Sequence, residues 1–178
     1  MIIWINGAFG AGKTSVSELL VKQIPGALIF DPEDLGYIIQ KTFPPARQMD
    51  YQDLPMWRRL VSQFIADGNE QFETTLIIPM TLVVPAYVAE IFAGIDRVGL
   101  TLHHFFLDTS ADELRRRITN QVIIESDAER DEEVRQWRLA QIDRCVAARD
   151  GLPAGTVSLK TDEQTPETLV AQILAGIR

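Results

Sequence analysis

The chain has 178 residues, of which 46% are hydrophobic and 24% charged, a composition typical of one globular domain spanning 1–178. Its net charge of −8 argues against a general nucleic-acid binder, because such proteins need basic surfaces to meet phosphate backbones. The single cysteine, Cys145, excludes an internal disulfide and is typical of a cytoplasmic protein with a buried thiol.

The apolar runs predict neither a secretion signal nor a membrane span. The first run, 1–6, is short and has no basic segment before it. The longest run, 76–87, is interrupted by Pro79 and Pro85 and is too short to cross a bilayer. We therefore expect a soluble protein.

The strongest local signal directly follows the first apolar run. Residues 7–14 fit the pattern G-x-x-x-x-G-K-[ST], between a predicted buried strand at 1–6 and a predicted helix at 15–24. In this setting the backbone N–H groups and the positive helix end cradle nucleotide phosphates. Lys13 would reach the β- and γ-phosphates, and the Thr14 hydroxyl would bind Mg²⁺. The predicted nucleotide contacts are Gly7, Ala8, Phe9, Gly10, Ala11, Gly12, Lys13, Thr14 and Ser15.

The elements that follow alternate between strands and helices, which predicts an α/β fold with a five-stranded parallel sheet and helices on both faces. Further strands are predicted at 27–30, 74–81, 100–107 and 156–159, and further helices from Pro32 and at 55–72, 86–93, 111–120, 137–149 and 166–177. Ser110 is the predicted N-cap of the helix at 111–120. Residues 42–55 carry three prolines and predict a long loop, and the acidic stretch 125–133 has no packing face.

Asp31 follows the second strand, at the sheet edge where open parallel sheets bind ligands. There its carboxylate would accept the proton of a substrate hydroxyl or help to hold Mg²⁺. The alternative is that Asp31 only caps the helix that begins at Pro32. Asp34, one turn further, would share the role or contact substrate, whereas Glu33 is expected to point elsewhere on the helix.

The third strand ends in Pro79-Met80-Thr81 without the acidic residue that often serves Mg²⁺ there. Thr81 either lines the site or only satisfies backbone groups, so the metal would rely on Thr14, water and Asp31. Trp57 either stacks on a substrate ring or is a buried aromatic at the start of a helix.

Arginines cluster on both sides of the acidic stretch. We expect a lid that brings positive charge to the transferring phosphoryl group, led by Arg117 and then Arg144, while the other arginines pair with acidic neighbours. His103 and His104 are adjacent in a strand and face opposite ways, so they cannot form one metal site.

The chain resembles the tunicamycin-resistance protein family, which belongs with the small P-loop kinases. The run 1–14 is nearly the family signature. Further matches are Asp31-Pro-Glu33, Trp57-Arg58, Pro79-Met80-Thr81, His103-His104-Phe105 and Gln-Ile-Asp-Arg-Cys at 141–145.

This resemblance implies a three-layer P-loop NTPase fold of nucleoside-kinase type that binds ATP with Mg²⁺ under a helical lid at about 117–144. It also implies an association with tunicamycin, a nucleoside antibiotic with an acyl chain that would bring the protein near a membrane. The substrate would lie near Asp31, the 42–57 segment and Met80. Related lids often carry a second arginine where this chain has Gln121, so the arginine clamp departs from the family pattern.

Two functions follow from these residues. The first is a phosphotransferase that moves the ATP γ-phosphoryl group to a hydroxyl of a small molecule, the antibiotic or a related nucleoside or sugar, with Lys13, Asp31 and Arg117 as catalytic residues. The alternative is an ATP-dependent binding protein that sequesters the antibiotic without chemistry. The sequence predicts no oligomeric state.

Overall fold

A parallel sheet forms the centre of the protein. The structure, a computed structural model, describes residues 1–177, so Arg178 at the end of the predicted domain lies outside the described residues. The strand order is β2-β3-β1-β4-β5, and every neighbouring pair is parallel. The strands are β1 (Ile2–Gly7), β2 (Leu28–Ile29), β3 (Leu76–Met80), β4 (Leu102–Asp108) and β5 (Val157–Lys160). The predicted five-stranded parallel sheet is confirmed.

Eight α-helices connect and cover the strands within residues 1–177. They are α1 (Lys13–Gln23), α2 (Glu33–Thr42), α3 (Pro55–Phe72), α4 (Pro85–Asp96), α5 (Ala111–Asn120), α6 (Ala128–Ala140), α7 (Ile142–Ala147) and α8 (Pro166–Gly176). Short 3-10 helices occupy Pro44–Gln48 and Tyr51–Asp53. The prediction of a loop throughout 42–55 was therefore wrong, because proline suits the first turn of a helix as well as a loop.

The two faces of β1 belong to two different hydrophobic clusters. Ile3 and Ile5 pack with side chains of α1, α5 and α8, whereas Ile2 and Trp4 pack with side chains of α3 and α4. Because successive residues of a strand point to opposite faces, helices cover both sides of the sheet, as predicted.

The helix boundaries follow local signals closely in some places and not in others. α3 and α5 have the predicted bounds, and Ser110 Oγ accepts a hydrogen bond from the Glu113 N–H at 3.3 Å as the predicted N-cap. The helix predicted at 137–149 is instead interrupted, since α6 ends at Ala140 and α7 begins at Ile142.

α6 begins inside the acidic stretch 125–133, which was predicted to have no packing face. Asp131 is buried, and its Oδ1 accepts hydrogen bonds from the N–H groups of Ile123 at 2.7 Å and Ile124 at 2.9 Å. Its Oδ2 pairs with Arg135 at 2.5 Å. These bonds hold the α5–α6 connection against α6. The run of charged residues did not predict this contact, because charged residues are seldom buried.

The carboxyl ends of β1, β2 and β3 meet at one edge of the sheet. In the register, Asn6 of β1 lies opposite Met80 of β3, and Ile29 of β2 lies opposite Ile77 of β3. This is the edge where parallel sheets of this kind bind ligands. Within residues 1–177, no helix combines the length and apolar character needed to cross a bilayer.

Candidate active site

The loop between β1 and α1 has the backbone shape that a phosphate cradle requires. Gly10 and Gly12 have φ angles of +81° and +98°, in the left-handed region that L side chains rarely adopt. A Cβ at Gly10 would also lie 3.0 Å from Ile118 of α5. Glycine at these positions therefore lets the loop wrap around the start of α1, where free N–H groups favour an anion.

Lys13 is folded back onto the same loop. Its Nζ donates to the carbonyl oxygens of Ala8 at 2.8 Å and Gly7 at 3.1 Å. Burial lowers the pKa of Lys13 to about 8, because the ammonium loses hydration that two carbonyls replace only in part. The ammonium is thus held beside the loop, where an anionic phosphate would stabilise its charged form.

A cavity of about 1260 Å³ opens at this edge of the sheet. We call its two ends the nucleotide half and the acceptor half. The nucleotide half is lined by residues of the phosphate loop, α5, α6 and α7, among them Phe9, Lys13, Thr14, Arg117, Arg138 and Arg144. The acceptor half is lined by residues 31–52 and the end of β3, among them Asp31, Glu33, Tyr37, Tyr51, Gln52 and Thr81. One cavity therefore joins the phosphate loop to Asp31.

Asp31 and Glu33 place two half-buried carboxylates on the acceptor half. Asp31 Oδ1 accepts a hydrogen bond from the Glu33 N–H at 2.9 Å, and Glu33 Oε2 accepts one from the Tyr37 hydroxyl at 3.1 Å. Burial raises the pKa of both carboxyls, since the charged form loses hydration. Asp31 thus supports the start of α2 and faces the cavity at the same time, so both interpretations of this residue fit the geometry.

The positions of Asp34 and Glu33 relative to the cavity are the reverse of those expected. Asp34 is exposed and does not line the cavity, whereas Glu33 does. Because α2 begins at Glu33, its cavity-facing side carries Glu33, Tyr37 and Gln40, which are separated by four and three residues. The placement of Asp34 at the substrate site was wrong.

Two further predicted substrate contacts are core residues. Trp57 is 0% exposed, and its Nε1 donates to the Pro32 carbonyl at 2.9 Å while its ring lies 5.3 Å from Tyr51. Met80 is 1% exposed and packs in the α3–α4 cluster. Neither residue lines the cavity. For Trp57 the alternative of a buried aromatic at the start of a helix is therefore the one that fits.

Thr81 lines the cavity, and its polar groups are already engaged. The Thr81 hydroxyl donates to the Gly7 carbonyl at 2.9 Å, and the Thr81 carbonyl accepts from Gln52 Nε2 at 3.0 Å. The residue therefore both lines the site and satisfies backbone groups at the end of β3. Its hydrogen bonds couple the phosphate loop to the acceptor half.

Arg117 and Arg144, the two predicted lid arginines, both line the nucleotide half. Arg117 Nε pairs with Glu113 at 2.6 Å, and its Nη2 donates to the Thr161 carbonyl at 2.8 Å. Arg144 is exposed, and its Nη1 lies 3.4 Å from Gln141 Oε1. Arg117 is therefore held in place by protein groups, whereas Arg144 is free to turn toward a ligand.

Arg138 and Trp137 of α6 are functional candidates that sequence reasoning missed. The Arg138 guanidinium lies 5.6 Å from the centre of the Phe9 ring, and the Trp137 ring meets Phe9 edge-on at 4.9 Å. Both residues line the cavity together with Gln141 and Arg144. Trp137 lies seven residues before Arg144, two turns along the predicted helix at 137–149, so its spacing was a usable signal. The acidic stretch beside it instead favoured an exposed surface.

The residues present fit a magnesium ion that takes most of its ligands from nucleotide and water. Mg²⁺ prefers oxygen ligands and keeps several waters, so one hydroxyl and one carboxylate are a sufficient protein contribution. Thr14 and Asp31 both line the cavity. Within residues 1–177, no group of three or more His, Cys, Asp and Glu side chains forms a metal site.

The adjacent histidines lie in β4 and away from the cavity. His104 is buried, its Nδ1 lies 2.8 Å from Thr156 Oγ1, and burial lowers its pKa to about 4. A histidine with this pKa stays neutral at physiological pH, so its contribution is to the packing of the sheet.

The phosphate loop, the central parallel sheet and the arginine-lined cavity define a P-loop kinase-like, ATP-binding protein. The chain belongs to the AAA domain family, whose model matches residues 2–145. Among curated proteins, none matches the chain in sequence.

Several solved structures share this fold over nearly the whole chain. The tunicamycin resistance protein of Deinococcus radiodurans is 25% identical with a TM-score of 0.71, covering 99% of this chain and 94% of that one. A sugar kinase from Janibacter sp. HTCC2649 is 17% identical with a TM-score of 0.69, covering 99% and 93%. Shikimate kinase from Bacteroides thetaiotaomicron is 16% identical with a TM-score of 0.58, covering 99% and 98%. The similarity to a tunicamycin resistance protein and the nucleoside-kinase type of fold are confirmed.

Proposed function

We propose that this protein is a phosphotransferase that moves the γ-phosphoryl group of ATP to a hydroxyl of a small molecule. The observation that carries the proposal is the single cavity that joins Lys13 and the phosphate loop at one end to the half-buried Asp31 at the other. Phosphoryl transfer depends mainly on positioning and electrostatic stabilisation, and a cavity of this shape brings a donor phosphate and an acceptor hydroxyl together.

The nucleotide half would hold the triphosphate through named groups. N–H groups of residues 7–15 and the Lys13 ammonium would bind the phosphate oxygens, and Arg117 and Arg144 would stabilise the charge that develops during transfer. The Thr14 hydroxyl and, in the alternative to its role as a base, the Asp31 carboxylate would hold Mg²⁺, which would supply charge neutralisation for the phosphates. Phe9, between Lys13 and Arg138, would keep the loop closed against α6.

The acceptor half would supply the proton acceptor. As the acceptor oxygen forms its bond to the γ-phosphorus, the bond from that phosphorus to the bridging oxygen breaks, ADP leaves, and the hydroxyl proton passes to Asp31. Burial raises the pKa of Asp31, which makes it a better base than an exposed aspartate. The hydrogen bond from the Glu33 N–H holds Oδ1 in place, which leaves Oδ2 to receive the proton.

We further propose that residues 1–178 act as one cytoplasmic P-loop kinase-like domain in which 117–144 form the lid. The buried Asp131 supports this division, because it fastens the α5–α6 connection so that the segment would move as a unit. Tunicamycin or a related nucleoside or sugar is the proposed acceptor. The support is the 25% identity to the Deinococcus radiodurans tunicamycin resistance protein.

The direct test is to incubate the protein with ATP, Mg²⁺ and tunicamycin and to look for ADP and for a product heavier by one phosphoryl group. We expect both, and we expect neither with the Lys13→Met variant. Tight binding of the antibiotic without ADP or a mass shift over many hours would overturn the phosphotransferase proposal in favour of the sequestering protein.

A further inference from the structure

The outer side of α3 carries exposed apolar residues at regular helical spacing. Met56, Leu60 and Phe64 are between 38% and 50% exposed and follow one another at intervals of four residues. Residues four apart lie above one another on a helix, so these side chains form one apolar ridge. The Phe30 ring stacks on Phe64 with centres 4.5 Å apart, and exposed Leu28, two residues before Phe30, faces the same way. The apolar ridge therefore continues onto the edge of the sheet.

A polar row borders the apolar ridge. Arg59, Gln63 and Asp67 are exposed and also four residues apart, and Gln63 Nε2 donates to Asp67 Oδ1 at 2.7 Å. Within residues 1–177, neither Arg59 nor Asp67 has an ion-pair partner. They cannot pair with each other, because eight residues separate them by about 12 Å along the helix axis. α3 thus presents a positive and a negative charge toward opposite ends of the apolar ridge.

This side of α3 is complementary to itself when a second copy is turned end for end. A two-fold axis perpendicular to the helix, near Gln63, would place Leu60 against the partner's Phe64. The same axis would place Arg59 beside the partner's Asp67, and by symmetry each contact occurs twice. A parallel arrangement would instead bring Arg59 against the partner's Arg59. The charges therefore favour the antiparallel pair.

We propose that the protein forms a two-fold symmetric homodimer through antiparallel α3 helices. Ridges of side chains at a spacing of four residues interdigitate well in helix pairs. Within the described chain, no residue of the apolar ridge or the polar row lines the cavity, so the contact occupies the cavity of neither copy. A single helix pair buries less surface than the ~800 Å² per partner of a standard interface, so we expect a dissociation constant of about 10–100 µM. The inference does not depend on the proposed phosphotransferase function.

Sedimentation velocity of the whole protein, from about 5 to 300 µM, measures the association. The wild-type sedimentation coefficient should rise from the monomer value toward the dimer value over this range. Arg59→Glu and Asp67→Arg, each alone, are expected to weaken association about tenfold or more, because each turns two attractions into two repulsions. The two substitutions together restore opposite charges across the interface and should return the dissociation constant to within about threefold of wild type.

Lys22→Glu is the matched control for Arg59→Glu. Lys22 is exposed on α1, and the substitution makes the same change in net charge on another surface, so association should stay as in wild type. Leu60→Gln tests the apolar ridge and should weaken association several-fold. A melting curve of each variant shows whether it is folded.

Two results would overturn the proposal. The first is a wild-type protein that remains monomeric at about 300 µM. The second is a dimer that both single charge reversals leave intact, or that the combined reversal of Arg59 and Asp67 does not restore, since either outcome would place the contact outside α3 or in another orientation.

Discussion

Lys13 and Asp31 face one cavity, and burial displaces their pKa values in opposite directions. The pKa of Lys13 is lowered to about 8 and that of Asp31 is raised, because in each residue the charged form loses hydration. Each group is therefore prepared for a partner. In the proposed reaction, the partner of Lys13 is a phosphate that stabilises its charged form, and the partner of Asp31 is a proton released by an acceptor hydroxyl.

ATP affinity is expected to decrease as the pH rises through about 8. Below that value Lys13 already carries its proton, whereas above it the phosphates must raise the pKa of Lys13 and take up a proton on binding. Calorimetric titration between pH 7.5 and 9.5, in buffers with different ionisation enthalpies, measures both effects. Lys13→Met should lose the pH dependence, and a wild-type affinity that is constant over this range would contradict the assignment.

Asp31→Asn should lower the transfer rate by roughly 100-fold or more while ATP binding and thermal stability stay close to wild type. Asparagine keeps the oxygen that accepts from the Glu33 N–H, so the start of α2 is retained and only the base is lost. Steady-state kinetics and a melting curve distinguish the outcomes. Asp34→Asn is the matched control, since Asp34 is exposed and outside the cavity. Loss of stability without loss of turnover would show that Asp31 serves only as the cap of α2.

At the scale of elements, Trp57 joins α2 to α3. Its Nε1 donates to the carbonyl of Pro32, directly before α2, and its ring packs against Tyr51 in the 3-10 helix between the two. Trp57 therefore helps to position the segment that carries Asp31, Glu33 and Gln52, together with Arg58 of α3, whose Nη1 donates to the Gln52 carbonyl at 2.6 Å. Trp57 supports the acceptor half without contacting an acceptor.

Trp57→Phe is expected to destabilise the protein by about 1–3 kcal/mol, because it removes the 2.9 Å hydrogen bond to the buried Pro32 carbonyl and leaves that oxygen only the Gly36 N–H at 3.4 Å. Urea unfolding followed by circular dichroism measures the loss. Trp137→Phe is the comparison, since Trp137 is 52% exposed and its replacement should change stability by only about 0.5 kcal/mol or less. Equal stability losses in the two variants would contradict this account.

The elements that could be predicted are those specified locally. The bounds of α3 and α5 follow from apolar spacing, a proline at the first turn and the Ser110 cap. The start of α6 and the 3-10 helix at Tyr51–Asp53 also have local caps, Asp127 and Asp50, which the acidic and proline-rich surroundings concealed. The bonds of Asp131 to the α5–α6 connection and of Gln52 to Thr81 could not be predicted, because no local pattern connects these residues. The same limit explains why Asp34 was expected at the cavity and Glu33 was not. A shift of one residue in the start of a helix changes which side chain faces the cavity.

At the scale of the whole molecule, the cavity lies beside the contact between the phosphate loop and α6, which is made by Phe9. The phosphate loop supplies Phe9, α6 supplies Trp137 and Arg138, and the acceptor half lies opposite. We expect a nucleotide that binds at the phosphate loop to change these contacts. Closure of the proposed lid should therefore be visible as a change around Trp137.

Addition of ATP and Mg²⁺ is expected to change the tryptophan fluorescence, and Trp137 should be the source of the change. Trp4 and Trp57 are 0% exposed, whereas Trp137 lies at the cavity against Phe9. Trp137→Phe should abolish the signal while ATP still binds by calorimetry. A change that persists in this variant would place the rearrangement elsewhere in the protein.

The two faces of β1 also bear on how such proteins diversify. Ile3 and Ile5 pack with α1 and α5, which line the nucleotide half, and Ile2 and Trp4 pack with α3 and α4, behind the acceptor half. Because the two clusters lie on opposite faces of one strand, we expect a substitution beside Ile2 or Trp4 to alter the acceptor half more than the phosphate loop. Under the proposed function, such an arrangement would let acceptor preference change during evolution while nucleotide binding is retained.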